Sequence, residues 1–461
     1  MARIAFTRTS VLALAATSGV LLLGAAVILY VEAGTGVSTP APRVTLAGAS
    51  APPPPPPLHW PADGLRPLLA AVDASRDEGL RPADYRRDAL ADAIESGASD
   101  AATDTLATET ALALAHDYAD GRIRNRARFD WHVTHAPTPP ATLDADLRKA
   151  VAGGTLDTYL HGLLPHDRRY VALRAALRDT PKGDDDGEAE GESERQKHIR
   201  ASMERWRWMP RALGDDYIWV NVPTYKLALI HGDSVVATHV VVVGAPKTPT
   251  PMLSANVGSI IVNPWWTLPP TVLREGQGKR YAAARGFVYV TIGGKAYVRQ
   301  KPGPANALGR MKIDMPNPYA IYLHDTPAKW AFGKSERALS HGCIRVQNIS
   351  ALAGDLTQPD AIAGAMTDLT THTLQMQKGV PVYIVYFTAA PDADGKVMTY
   401  GDPYDRDDEL IAALDHDRSY HRESPTVAAK RSSLTPKRNS TTNGAIDEPE
   451  RAENAGTNAT Y

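Results

Sequence analysis

The chain has 461 residues, on the order of two to four domains, and its hydrophobic share of 43% supplies real cores. Its 50 Lys and Arg against 52 Asp and Glu leave a formal charge of −2, which excludes the basic surplus of a nucleic-acid binder and the acidic surplus of a solvating chain. The one cysteine, Cys343, rules out an intrachain disulfide and a multi-cysteine zinc site.

In chain order, Arg3 and Arg8 precede an apolar run from Val11 to Val31. Such a run is about long enough (~20 residues) to span a bilayer, and it exceeds the apolar part of a cleaved signal. The expectation over 1–31 is an uncleaved inner-membrane anchor in preference to a removed signal peptide. The positive flank would lie in the cytoplasm and the rest of the chain outside. Residues 32–57 read as a tether that ends in the run Pro52 to Pro57, a stiff polyproline spacer.

Residues 58–178 read as helical. Apolar residues recur at helical spacing in Pro67–Asp73 and in Leu106–Tyr118, and another helix starts at Tyr170. The pair His132 and His135 has a metal-like spacing, but its Pro-rich surroundings and the lack of a third ligand point to a surface loop, and no metal is expected. Asp184 to Glu194 is acidic and nearly free of apolar residues, so 179–199 is expected to be a linker.

Beyond Trp206 the period changes. Strands are expected at Tyr217–Val222, Lys226–Ile230, Thr238–Val243, Gly258–Val262, Phe287–Val290, Ala320–His324 and Val380–Phe387, with turns at Pro223 and His231–Asp233. The β character runs from about 215 to 390, within a domain placed at 200–415. Residues 416–461 have no apolar period and read as a disordered tail. The class is therefore α+β, with a helical domain followed by a mostly β one.

The chemistry concentrates in His324-Asp325-Thr326 and Ser340-His341-Gly342-Cys343-Ile344-Arg345. A thiol attacks as the thiolate and needs a base to ionise near neutral pH. His341 lies too close along the chain to reach the sulfur easily. His324 ends a strand and can approach from a neighbouring one, so it is assigned as the general base and His341 as a supporting partner. Gly342 permits a sharp turn, and the N–H groups of Gly342 and Cys343 are candidates for an oxyanion hole. Arg345 adds a fixed positive charge beside the thiol or a grip on a substrate carboxylate. A lone cysteine is more often an inert buried residue, but this context favours a nucleophile. Half or more of Trp206, Trp208, Trp265 and Trp266 are expected in the core, the rest as sugar-stacking surfaces. There is no Gly-rich phosphate loop, HExxH motif or Ser/Lys penicillin-binding pattern.

The segment Ser340 to Arg345 with an upstream His resembles the signature of the YkuD-type L,D-transpeptidases. The resemblance is closer still to the large, membrane-anchored proteobacterial branch typified by YcbB. It extends to Met203-Glu-Arg-Trp-Arg-Trp-Met-Pro, Val220-Asn-Val-Pro, Asn263-Pro-Trp-Trp-Thr-Leu-Pro-Pro, Pro302 to Arg310 and Tyr322-Leu-His-Asp-Thr-Pro. Gly79-Leu-Arg-Pro-Ala-Asp-Tyr is similar to that branch's scaffold domain.

The resemblance implies a YkuD β-sandwich, Cys343/His324 catalysis, and a His324 oriented by the backbone carbonyl of Asp325. Ser340 falls among the supporting residues, and Tyr322, Trp265 and Trp266 are expected to bind substrate. An insertion at about 264–302 would cap the site, and no cofactor is called for. The implied reaction is attack by Cys343 on a tetrapeptide stem, release of the terminal D-alanine, and transfer of the thioester to an acceptor amine, which forms a 3–3 cross-link. Water or a lipoprotein amine as acceptor stays open, as does a non-catalytic wall-binding scaffold. Relatives often carry a small peptidoglycan-binding module between the two domains. The acidic linker leaves no room for one here, so wall affinity would rest on the scaffold and the cleft.

Overall fold

The computed structural model describes residues 56–61, 63–180, 192–275 and 283–416. The expected anchor, nearly all of the tether, the middle of the linker and the tail beyond His416 lie outside the described residues. Among the described residues no helix is long and apolar enough to cross a membrane.

The first half is built from α1 (Leu65–Ala74), α2 (Arg87–Glu95), α3 (Ala101–Asp120), α4 (Pro140–Ala152), α5 (Leu156–Leu163) and α6 (Arg168–Arg178), with a two-residue strand β1 (Trp131–His132) between α3 and α4. The apolar spacing explains the packing. Leu65, Leu68 and Val72 place one face of α1 in the core, and Ala107, Ala111, Leu114 and Tyr118 do the same for α3. Asp100 caps α3 by accepting from the Thr103 N–H at 2.8 Å. The helix stops at Gly121 (φ 81°), where a Cβ would lie 2.7 Å from the Glu204 Oε1 and Trp208 Nε1 atoms. Only glycine lets the scaffold backbone come that close.

Next comes α7 (Glu194–Arg207). It begins inside the stretch expected to be linker. The expectation missed the Ser193 and Gln196 capping box, in which each side chain satisfies the other's backbone N–H. This helix joins the halves. It packs on α6 and on elements of the second half, and Ile199, Met203 and Trp206 are buried in one continuous core with Leu173 and Val220.

The second half continues with β2 (Asp216–Asn221), β3 (Lys226–His231), β4 (Ser234–Gly244), β5 (Met252–Val262), β6 (Trp266–Thr267), α8 (Pro270–Glu275), β7 (Phe287–Ile292), β8 (Lys295–Gln300), β9 (Met311–Asp314), β10 (Leu323–His324), β11 (Ala338–Ser340) and β12 (Ile344–Val346). It ends with α9 (Ile349–Leu356), α10 (Pro359–Ala365), β13 (His372–Val385), β14 (Ala389–Pro391), β15 (Val397–Thr399) and α11 (Asp407–Asp415).

The main sheet runs β1-β5-β13-β2-β3-β4-β12-β10-β9, and β5 also pairs with β9. The strands from β5 through β9 are thus hydrogen-bonded into one closed path, with β1 and β11 attached at its margin. Continuous β-branched runs explain these strands, buried on both faces: Val241, Val242 and Val243 of β4 and Val382, Ile384 and Val385 of β13 are fully buried. The expected strand Ala320–His324 shortens to Leu323–His324, because Ala320 adopts a left-handed φ of 54° that no strand accommodates. The insertion at 264–302 forms its own sheet, β6-β8-β7, around Leu268, Phe287 and Val298.

One expectation is corrected. His132 does not sit on a surface loop, whereas His135 lies in the loop that follows it. Trp131 and His132 form β1, which pairs in parallel with Met252 and Leu253 of the second half's sheet. The His135 ring is buried and bonded to Asp120 at 2.9 Å. The flanking prolines read as loop, but the pairing partner lies 121 residues away in the chain, beyond what local pattern records. Among the described residues no group of three or more metal-ligating side chains exists.

Candidate active site

Two short strands bring the reactive segments together. β10 and β12 pair in parallel, with Leu323 opposite Ile344 and His324 opposite Arg345. The Ile344 N–H donates to the Tyr322 carbonyl at 3.1 Å. Cys343 lies just before β12 and His324 closes β10, so side chains 19 positions apart in sequence are carried on adjacent strands.

His324 is buried. Its Nδ1 lies 2.5 Å from the Asp325 carbonyl oxygen. A carbonyl only accepts, so Nδ1 carries the proton and Nε2 is left as the basic nitrogen. Burial, and then the Arg345 cation, push the ring down to about 3. The Asp325 carboxylate is held in turn by the Arg310 N–H at 2.9 Å and by Lys329. Gly309 (φ 61°) makes this possible, since a Cβ there would lie 2.3 Å from Asp325 Oδ2.

Cys343 is half-buried. Its Sγ donates to the Ala320 carbonyl at 3.7 Å. Burial pushes the thiol up, opposed by the Tyr322 backbone N–H and hydroxyl and by the Lys312 and Arg345 cations. The resting pair is therefore a neutral thiol and a neutral imidazole. The sequence gives no hint of Lys312 beyond its alternation in Met311–Asp314. In the fold it sits opposite His324 on β9, 2.7 Å from Asp314, with its ammonium 4.2 Å from the Tyr322 ring centroid.

The turn before the sulfur is pinned. Ser340 Oγ donates to the Cys343 carbonyl at 2.6 Å and accepts from the Gly342 N–H at 3.1 Å. Thr250 Oγ1 donates to the Gly342 carbonyl at 2.7 Å, and Thr250 N–H is bonded to the Tyr404 hydroxyl at 3.1 Å. Gly342 has φ 110°, a left-handed value that favours glycine. Its N–H is already engaged by Ser340. Of the two donors expected for an oxyanion hole, the Cys343 N–H is the one facing no protein acceptor among the described residues. His341 is exposed on this turn.

The aromatic residues divide. Trp206 and Trp208 are core. Trp265 and Trp266 of the capping insertion are half-buried. Trp265 carries the Arg299 guanidinium at 4.8 Å. Thr250, Tyr404, Gly309 and Lys312 went unrecognised in the sequence because each acts through a partner remote in the chain.

Comparison with known proteins follows the same division. Residues 215–384 match the L,D-transpeptidase catalytic domain of the YkuD family, and residues 59–177 match the Scaffold domain. The chain thus carries a YkuD L,D-transpeptidase catalytic domain behind a scaffold domain. Together these are the YcbB-like architecture. A Haemophilus influenzae protein provisionally described as an L,D-transpeptidase is 28% identical over 227 residues, covering 42% of this chain and 45% of that protein. The chain spans about half the length of the curated relative it matches. Among solved structures, an L,D-transpeptidase from Mycobacterium smegmatis is 15% identical, covering 37% of this chain and 58% of that one with a TM-score of 0.21. The Enterococcus faecium catalytic domain, solved acylated by ertapenem, is 18% identical, covering 38% and 99% with a TM-score of 0.17.

Proposed function

We propose that the protein forms 3–3 cross-links in peptidoglycan through a Cys343 acyl-enzyme. The observation that carries this reading is the pairing of β10 with β12, which sets an Nδ1-protonated His324 on the strand beside Cys343. His324 Nε2 takes the thiol proton as sulfur attacks the carbonyl of the third residue of a tetrapeptide stem. The developing oxyanion meets the Cys343 N–H. The imidazolium then returns its proton to the departing D-alanine amine, which leaves a thioester. The acceptor stem's side-chain amine attacks that thioester, His324 removes the amine proton, and the thiol is regenerated. No nucleotide is consumed, because the cleaved amide is exchanged for a new one.

The apolar run Val11 to Val31 and the proline tether support attachment of the enzyme to the inner membrane, with the catalytic domain in the periplasm. Muropeptide mass spectrometry after incubating the purified protein with tetrapeptide-rich sacculi tests the reaction. Dimers linked 3–3 are expected. Tripeptides alone would establish a carboxypeptidase instead, and no change would sink the reading. N-terminal sequencing from a native-like host tests the anchor, and a soluble mature chain that starts after Val31 removes it.

A further inference from the structure

We propose that the scaffold domain positions the reactive thiol of the catalytic domain, through the ring pair His132–Tyr319. The proposal rests on Cys343 being the reacting thiol, as in the reading above.

The scaffold segment around β1 is tied to the second half at separate points. β1 pairs with β5, and the Thr134 N–H donates to Ser254 Oγ at 2.9 Å. The Asp130 carboxylate takes Arg406 at 2.7 Å and His132 Nε2 at 2.9 Å. A carboxylate only accepts, so His132 Nε2 carries a proton, and its ring plane is fixed from one edge. Trp131 alongside is sealed in the core, 5.3 Å from Trp208 and 6.2 Å from Phe387 by ring centroids. His132 is thereby a rigid ledge supplied by the scaffold domain.

On that ledge rests Tyr319, with ring centroids 4.6 Å apart and planes at 31°. Tyr319 is 43% exposed, so its position owes little to the core. It begins the loop that forms the wall beside the thiol. From within, Asn317 holds this loop by donating to the Ile321 carbonyl at 2.7 Å and accepting from the Tyr319 and Ile321 N–H groups at 3.1 and 3.2 Å. Ala320 follows in a left-handed conformation (φ 54°), which is strained for a residue with a Cβ and persists only where the surroundings impose it. The result is functional geometry: the Ala320 carbonyl faces Cys343 Sγ, and the Tyr322 N–H and hydroxyl face it from two residues further on. Released from His132, Ala320 is free to relax toward an ordinary conformation, and the donors of Tyr322 move with it.

The charged and titratable groups around the sulfur come from three strands and the loop: Lys312 on β9, His324 on β10, Arg345 on β12, and Tyr322. None of them belongs to the scaffold. A purely structural contact at His132 would therefore change stability and leave thiol chemistry untouched.

The test uses the full chain and three variants, His132→Ala, His132→Phe and Tyr319→Ala. Alkylation of Cys343 by iodoacetamide is followed by intact mass across pH, beside thermal unfolding. His132→Ala and Tyr319→Ala are expected to slow alkylation at neutral pH about tenfold and to move its midpoint to higher pH, because the thiolate loses donors. Unfolding temperature should change little. His132→Phe keeps a ring on the ledge and should restore most of the rate. Wild-type alkylation in both alanine variants, slowing only in proportion to lost stability, or a His132→Phe rate no better than that of His132→Ala overturns the proposal. Alkylation needs no stem peptide, so failure of the cross-linking reading would appear separately, as wild-type protein that alkylates normally yet yields no 3–3 dimers.

Discussion

Two buried ionisable clusters in this molecule are built on opposite terms. Where α7 meets the scaffold, Arg207 and Glu204 are both fully buried and 2.7 Å apart. The Glu204 carboxylate also accepts from the Ile123 N–H and the Trp208 indole, while Arg207 reaches the Glu78 carbonyl and the Tyr170 hydroxyl. Each charge there has its opposite and each polar atom a role. At the catalytic end, burial of Cys343 outweighs the Lys312 and Arg345 cations, burial of His324 is reinforced by them, and both groups are held neutral. The compensated cluster locks two domains together. The uncompensated pair stays one proton transfer away from a reactive ion pair, which is what a nucleophile and base require.

The largest break in this contrast is to remove the sulfur. Cys343→Ala is expected to abolish cross-linking, at least about a thousandfold, since the nucleophile is lost entirely. Unfolding stability should change by no more than about 1 kcal/mol, as for a half-buried side chain with no essential packing. Chromatographic separation of 3–3 dimers reads the first effect and urea unfolding the second. Retained dimers in the variant would remove Cys343 from the chemistry.

The two histidines come next. His324→Ala should cut acylation by a carbapenem about 10²- to 10⁴-fold, the range for loss of a general base. His341→Gln should stay within about tenfold, because His341 is exposed on the turn and two residues from the sulfur. Time-resolved intact mass measures both adducts, and equal losses would leave the base unassigned. His324 also carries a stability signature. Its pKa is lowered from 6.5 to about 3 on folding, so the unfolded chain binds the proton more readily. Its contribution is complete above pH 6.5 and is lost as pH falls from there toward 3. His324→Leu should flatten unfolding stability across that window.

On the compensated side the signs reverse. Glu204→Gln leaves Arg207 buried beside a neutral partner and should cost about 3–5 kcal/mol, with the thiol chemistry of the folded fraction unchanged. The double variant Glu204→Leu with Arg207→Met should recover part of that loss, because the charges are removed together. Urea midpoints decide between this and simple cavity formation, for which the double variant would be the worse of the two.

This contrast also separates what was legible in the sequence from what was not. Ser340 to Arg345, His324 and the Asp325 carbonyl sit within a few residues of one another on two short segments, so the site's centre could be read locally. Helical period placed α1, α3 and α6, and β-branched runs placed β2 to β5 and β13. Three things were hidden. α7 reads as polar because its buried charges are neutralised in the fold, Arg205 by Asp407 of α11 and Glu204 and Arg207 by each other within the helix. β1 is too short to show a period and exists only because β5 lies beside it. Ala320 breaks a strand-like run through a left-handed turn held by Asn317, side-chain bonding that an apolar pattern does not record.

The finest expected effect concerns Lys312. It belongs to neither cluster type: its ammonium pairs with Asp314 at 2.7 Å, lies over the Tyr322 ring, and is one of two cations whose fields favour a thiolate at Cys343 while opposing protonation of His324. These fields favour an anionic sulfur and a neutral base together. Lys312→Met keeps the stem that covers the ring and deletes the charge, so the remaining thiol should be harder to ionise. Because the side chain is partly exposed and shares its charge with Asp314, the effect should be small, about threefold slower alkylation at neutral pH. It should shrink as salt is added to the wild type. Lys312→Arg should preserve the wild-type rate, since a cation over an aromatic face remains. A Lys312→Met profile that superimposes on the wild type at low salt would show that Arg345 and the Tyr322 donors alone set the thiol, and the uncompensated character of the pair would then be greater than the cation positions imply.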